Sequence, residues 1–136
     1  MNEGAKRILV AEDSAANREL ITEILELNGY ETTIADDGGA AVERLRQRTY
    51  DLVLLDIQMP VLDGYQVMEQ MRAHNQWAEI PVVALTAYAM QGDREHALRA
   101  GFDDYVTKPI DFRVLLTTIE RLLLQGQRKQ TSAEVS

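Results

Sequence analysis

The chain reads as an α/β domain: five parallel strands in one doubly wound sheet, with five helices over its two faces. Three observations predict this. Short, mostly apolar runs alternate five times with amphipathic segments whose apolar residues recur at spacings of three and four. Two of the runs, Leu52 to Leu55 and Val82 to Leu85, are apolar at every position, as strands covered on both faces are. Glycine, alone or as Asn-Gly, punctuates most of the helical segments. With 136 residues, the chain has the length of a single domain.

The first run is Arg7 to Ala11. After it Ala16, Leu20, Ile21, Ile24 and Leu27 mark a helix that Asn28-Gly29 stops. Glu31 to Ala35 sets Glu31 and Thr33 against Thr32 and Ile34, the alternation of an edge strand. Asp36-Asp37-Gly38 reads as the turn into a second helix, not as a second metal site, and Val42 and Leu45 are that helix's apolar positions. Arg44, Arg46 and Arg48 read as its solvated face. Asp51 to Leu55 is the third strand, and Val67, Met68 and Met71 mark the third helix. Trp77, in the connection that follows, reads as a packing lid. After the fourth strand, Val82 to Leu85, a helix with Ala97, Leu98 and Ala100 is closed by Gly101. Tyr105-Val106 is the last strand. The fifth helix is capped by Asp111, carries Leu115, Leu116, Ile119, Leu122 and Leu123, and is expected to end at Gly126. Residues 1–124 therefore form the domain and residues 125–136 a polar tail expected to be disordered. His74 and His96 fall at polar helix ends without metal-ligand spacing.

Composition excludes several functions. Cysteine is absent, which removes disulfides, thiolate zinc sites and cysteine nucleophiles. The formal charge is −8; residues 125–136 carry +1, so the domain holds −9. A body this acidic repels phosphate backbones, and direct nucleic-acid binding is not expected. No uncharged apolar run approaches the length that crosses a bilayer, and Met1 to Gly4 opens no signal segment. The expectation is a cytoplasmic protein away from the membrane.

In doubly wound sheets, sites form outside the carboxyl ends of the strands. There the sequence places Glu12-Asp13 after strand one, Asp56 after strand three, Thr86-Ala87 after strand four and Thr107-Lys108-Pro109 after strand five. Crowded carboxylates raise one another's pKa unless a cation offsets them. Oxygen-only ligands favour a hard ion, Mg²⁺ or its relatives. A lysine can hold an anionic group as a point charge, and a threonine hydroxyl can donate to it. The set makes a phosphoryl-transfer site with Asp56 as nucleophile. Each residue also has a plainer reading: Glu12, Asp13 and Asp56 as helix-initiating acids, Lys108 as a solvated cation, Thr86 as a strand-end hydroxyl. Their joint arrival at the strand ends favours the site, and Lys108 is one of only three lysines against eleven arginines.

Ile8 to Asp13, Asp51 to Pro60 with Asp63-Gly64, Leu85-Thr86-Ala87 and Lys108-Pro109 together resemble the receiver domain of bacterial two-component response regulators, over residues 5–124. The resemblance implies the flavodoxin-like strand order 2-1-3-4-5. It implies that Asp56 accepts a phosphoryl group from the phosphohistidine of a sensor histidine kinase or phosphotransfer protein. Mg²⁺, with Mn²⁺ as an alternative, would be ligated by Asp13, Asp56 and the backbone carbonyl of Gln58, while Glu12 holds metal-bound water. Thr86 and the Ala87 amide would contact the phosphoryl oxygens and Lys108 would pair with them, its peptide bond to Pro109 being cis. Tyr105 would be the switch aromatic that follows Thr86. The face made by helix four, strand five and helix five would then meet a downstream protein partner, and a homodimer through it is compatible with the resemblance. Gln58 and Tyr88 flank the route of attacking water, and a bulky Tyr88 is expected to slow hydrolysis of the phosphate. The context is a stand-alone regulator, which Met1 and the polar tail favour, or the receiver of a hybrid histidine kinase serving as an internal phosphorelay or regulatory module.

Two other classes fit less well. A haloacid-dehalogenase-like phosphatase needs a second acid two residues after its nucleophile, where this chain has Gln58, so turnover of external substrates is not expected and the chain reads as a signalling domain rather than an enzyme. A flavodoxin-like flavin carrier needs a Ser/Thr/Gly phosphate loop after strand one, and Glu12-Asp13 is its electrostatic opposite.

Overall fold

Strands and helices alternate without exception in a computed structural model that describes residues 4–87 and 90–135, residues 126–135 by their backbone only. The order is β1 (Arg7–Ala11), α1 (Ala15–Leu27), β2 (Glu31–Ala35), α2 (Gly38–Gln47), β3 (Leu52–Asp56), α3 (Gly64–Ala73), β4 (Val82–Thr86), α4 (Asp93–Arg99), β5 (Asp104–Thr107) and α5 (Phe112–Val135). All strand pairings are parallel, in the order β2-β1-β3-β4-β5. This is the flavodoxin-like arrangement that the resemblance implied.

Successive residues of each strand point to opposite faces, and each face has its own core. Leu9, Ala11, Val53, Leu55, Val82 and Ala84 pack with Val42 and Leu45 of α2 and with Val67, Met68 and Met71 of α3. Ile8, Val10, Leu52, Leu54, Val83 and Leu85 pack with Ile21 and Leu25 of α1 and with Leu115 and Ile119 of α5. Each such aliphatic side chain, fully buried, contributes about 1.5–3 kcal/mol. Register then levels the strand ends. Ala11 pairs with Leu55, Asp56 with Leu85, and Thr86 with Thr107. The residues at or just beyond those positions therefore emerge along one edge of the sheet.

The structure departs from the sequence reading in four places. In α1 the buried pair is Ile21 and Leu25, while Leu20 and Leu27 face solvent, Leu27 at 77% exposure. The helix presses a single i, i+4 row onto the sheet, and its broader apolar pattern overstated the contact. In α4 only Ala97 is buried and Leu98 is exposed, because this helix of seven residues touches the sheet along one short row. Arg44 is not simply solvated: its Nε donates to the carbonyl of Ile34 at 3.3 Å, while Arg48 pairs with Glu31 at 3.2 Å. Both guard β2, the exposed edge strand. Finally, α5 passes through Gly126 and continues to Val135. A glycine inside a helix costs about 1 kcal/mol relative to alanine, and with no proline after it the helix propagates.

Candidate functional site

Asp56 is the last residue of β3 and is 2% exposed, closed in by the apolar faces that make β3 the central strand. Its Oδ1 accepts from the Gln58 amide at 3.0 Å and its Oδ2 from Lys108 Nζ at 2.9 Å. Lys108 Nζ also lies 2.7 Å from Oε1 of Glu12, which is fully buried. One ammonium thus bridges two carboxylates from separate strand ends. Glu12 is held by its neighbours: its Oε2 accepts from the Ser14 amide at 3.0 Å, its own amide donates to the Ala35 carbonyl at 3.0 Å, and Arg18 donates to its carbonyl at 2.9 Å. Lys108 enters from β5, where its amide donates to the carbonyl of Thr86 at 2.7 Å, and its peptide bond to Pro109 is cis.

The electrostatics follow from that enclosure. Burial, then the carboxylate of Glu12, push Asp56 up to about 7, although Lys108 and the Gln58 amide pull the other way. Burial acts on Glu12 too, but Lys108, a hydrogen bond shared with Asp56 and the Ser14 amide outweigh it, and its pKa falls below the ordinary value. The two acids are thus pushed in opposite directions, Asp56 towards the neutral acid and Glu12 towards the carboxylate. Lys108, despite desolvation, is raised by the two carboxylates and stays charged.

Glu12, Asp13 and Asp56 each offer an oxygen within 4.8 Å of the others, the only group of three potential metal-ligating side chains among the described residues. Asp13 is exposed, and beside two buried acids it gives the cluster an open side. With no nitrogen or sulfur donor and an excess of negative charge, the set fits a hard divalent cation that retains water.

The structure brings Glu12, Asp56 and Lys108 into direct contact and sets Thr86, fully buried, at the neighbouring strand end. Gln58 and Ala87 follow Asp56 and Thr86 at the surface. Tyr105, on β5, packs against the α2–α3 core, its hydroxyl buried without a hydrogen-bond partner. Tyr88 lies outside the described residues. Ser14 is the N-cap of α1, its side chain accepting from the Asn17 amide, and the same residue's amide steadies Glu12. Gly64 stands in the sequence only as part of the Asp63-Gly64 motif, with nothing local to show the close approach it allows. A Cβ at Gly64 would lie 2.7 Å from the carbonyl oxygen of Asp56, so the strand end and α3 meet there only because the side chain is absent.

Residues 8–120 match the response regulator receiver domain family. The chain is 35% identical over 118 residues to the polar-differentiation response regulator DivK of Brucella anthropi, covering 87% of this chain and 96% of that one. It is 43% identical over 119 residues to the sensor protein GacS of Pseudomonas syringae pv. syringae, covering 85% of this chain and 13% of GacS. The hybrid signal transduction histidine kinase I of Dictyostelium discoideum is 41% identical over 121 residues, and this chain spans 7% of its length. Among solved structures, the receiver domain of the sensor histidine kinase PA1611 from Pseudomonas aeruginosa, with a magnesium ion coordinated in its active-site cleft, superposes with a TM-score of 0.81 at 39% identity over 88% of this chain and 98% of that one. The strand order, the acids at the strand ends and this match along nearly the whole domain agree: the chain belongs to the response regulator receiver domain family of two-component signalling.

Proposed function

We propose that Asp56 accepts a phosphoryl group from the phosphohistidine of a histidine kinase or phosphotransfer protein, and that the domain, residues 1–124, then presents its α4–β5–α5 face to a downstream protein. The observation that carries this reading is Lys108 Nζ, 2.9 Å from Asp56 and 2.7 Å from Glu12, a cation set where a phosphoryl group on Asp56 would place its charge. In the step, a carboxylate oxygen of Asp56 forms the O–P bond as the N–P bond of the donor breaks. The departing imidazole keeps the electron pair and takes a proton from solvent. Lys108 pairs with the transferred oxygens, and the Thr86 hydroxyl and Ala87 amide donate to them. Asp13, Asp56 and the Gln58 carbonyl would hold Mg²⁺, with Glu12 holding its water, and the bound ion would supply positive charge for the phosphoryl oxygens. Mn²⁺ suits the same donors. Thr86 and Tyr105 couple the phosphate to the α4–β5–α5 face, biasing an existing two-state equilibrium.

Both contexts have relatives: DivK is a response regulator matched almost end to end, while in GacS and in hybrid kinase I the match is to a small part of a longer kinase. In either context residues 125–136 lie outside the signalling unit of this reading. A cytoplasmic location, no nucleic-acid contact, and no turnover of external substrates belong to the same reading; among the described residues no helix is long and apolar enough to cross a membrane. The test is incubation with acetyl phosphate, with and without Mg²⁺, followed by intact mass. The expected result is the gain of one phosphoryl group only with Mg²⁺, and none in Asp56→Asn. A wild-type protein that stays unmodified with Mg²⁺ present would overturn the assignment.

A further inference from the structure

The first turn of α2 contributes no group to the site, yet it touches the loop that follows Asp56. That loop, residues 57–63, carries Gln58 and is tied at both ends. The Gly64 amide donates to the Ile57 carbonyl at 2.8 Å, and Asp63 and Gln66 exchange capping-box hydrogen bonds at the start of α3. Its middle is tied from outside. The Pro60 carbonyl accepts from the Leu62 amide at 2.9 Å and, more weakly, from the Gly38 amide of α2 at 3.4 Å. A Cβ at Gly38 would fall 1.9 Å from the Leu62 carbonyl oxygen and 2.7 Å from its carbonyl carbon. Those are backbone atoms, which cannot rotate aside as the end of a side chain can. Any side chain at 38 must therefore move either α2 or the loop. The helix is fixed by Ala41, Val42 and Leu45, all buried. The loop turns at Val61, 75% exposed and at φ +71°, a conformation unfavourable for a β-branched residue. The loop is the part that yields.

We propose that Gly38 is a positioning residue for the metal ligand Gln58: by lacking a side chain it lets α2 close onto the 57–63 loop and keeps Gln58 seated against Asp56. The inference rests on the Mg²⁺ reading above. Gly38 lies outside the site, and its effect passes through Leu62 and Pro60 to Gln58, whose amide is 3.0 Å from Asp56 Oδ1.

The neighbouring glycine provides the control. A Cβ at Gly39 would meet Val61 Cγ1 at 3.1 Å and Asp37 Oδ1 at 3.3 Å, both side-chain atoms, so alanine there changes the start of the helix without pushing on loop backbone. The experiment is a Mg²⁺ titration of the full chain, followed by amide NMR shifts, on wild type, Gly38→Ala and Gly39→Ala, with melting temperatures in EDTA beside each. Gly38→Ala should lose Mg²⁺ affinity about tenfold, the scale on which residues supporting a metal ligand act, while Gly39→Ala stays within about twofold of wild type. A merely structural role would lower the melting temperature in EDTA and leave the affinity unchanged, and that result overturns the proposal. So does an equal loss in Gly39→Ala. Should Gly38→Ala not fold, Val61→Pro shifts the same loop from its exposed side; its affinity should also fall, and wild-type affinity there overturns the proposal. If the wild type itself shows no Mg²⁺-dependent shifts, the metal reading fails and this inference with it, a result distinct from a variant that binds as the wild type does.

Discussion

Asp56 is a carboxylic acid that folding makes harder to ionise. Burial and the facing Glu12 raise it to about 7 from an ordinary value near 4, so the native protein binds a proton that the unfolded chain has released. The sign of the consequence is fixed by linkage. A group whose pKa is higher in the folded state stabilises fully below its unfolded pKa, and that contribution is lost as pH rises through the folded value. The metal-free protein should therefore lose stability between about pH 4 and pH 7 on account of Asp56. Asp56→Asn replaces the neutral acid by a near-isostere that never ionises, and Lys108 keeps Glu12 as partner, 2.7 Å away. In EDTA the variant should melt close to wild type at pH 4 and at least about 5 °C higher at pH 8. Thermal melts at the two pH values check this, and an equal difference at both would show that the buried charge is not its origin. The residues of this pair were legible in the sequence because each stands at the end of an apolar run. The opposite directions in which the two acids are pushed were not, since these depend on the Ser14 amide and on how Lys108 divides itself between them.

At the scale of elements, α3 and the α4–β5 connection are joined by Arg72. Its guanidinium donates to the carbonyls of Gly101 (2.6 Å from Nη2), Ala78 (2.9 Å) and Ile80 (3.0 Å), and to Asp103 Oδ2 (3.0 Å). Asp103 in turn accepts from the Val82 amide, at the first residue of β4, at 2.8 Å. Arg72→Met would keep the aliphatic stem and leave several carbonyls unpaired in a half-buried place; the expected loss is about 3 kcal/mol in urea unfolding. Lysine should recover little of it, because one ammonium cannot reproduce the fork. A loss below about 1 kcal/mol would show that water replaces the guanidinium without difficulty. The far end of α4 is held differently: Gly92 is its N-cap, in the left-handed region and without a side-chain cap. In place of such a cap, Asp93 accepts from the Met90 amide at 2.8 Å and Arg94 pairs with Asp104 of β5 at 3.2 Å, so α4 is tied to the sheet at this end as well. The sequence announced every helix and strand, since period and punctuation are local signals. It misjudged the exposed Leu20, Leu27 and Leu98, the passage of α5 through Gly126, and the attachment of Arg44 to β2, because each depends on which neighbour the fold supplies. The close approach at Gly38 was hidden for the same reason: Leu62 is distant in sequence and adjacent in space.

Across the whole molecule, the two cores share one sheet, so the site at the strand ends is bound to a unit in which β1, β3 and β4 serve both faces. A group that binds only the folded site should then raise the melting of the entire domain in a single transition. Beryllofluoride, which mimics a phosphoryl group on a carboxylate, provides that group without hydrolysis. At one hundred times its dissociation constant, with Mg²⁺ present, it should stabilise the protein by about 2.7 kcal/mol, or roughly 10 °C in melting temperature. Asp56→Asn, lacking the carboxylate, should show no shift, and Lys108→Met a much smaller one because the cation beside Asp56 Oδ2 is gone. A wild-type transition that splits in two on binding would show that β5 and α4 respond apart from the remaining sheet. A single transition raised by the expected amount would mean that a charge added at Asp56 is felt through β4 and β5 together, which is what a surface on α4, β5 and α5 requires if it is to report what happens at the end of β3.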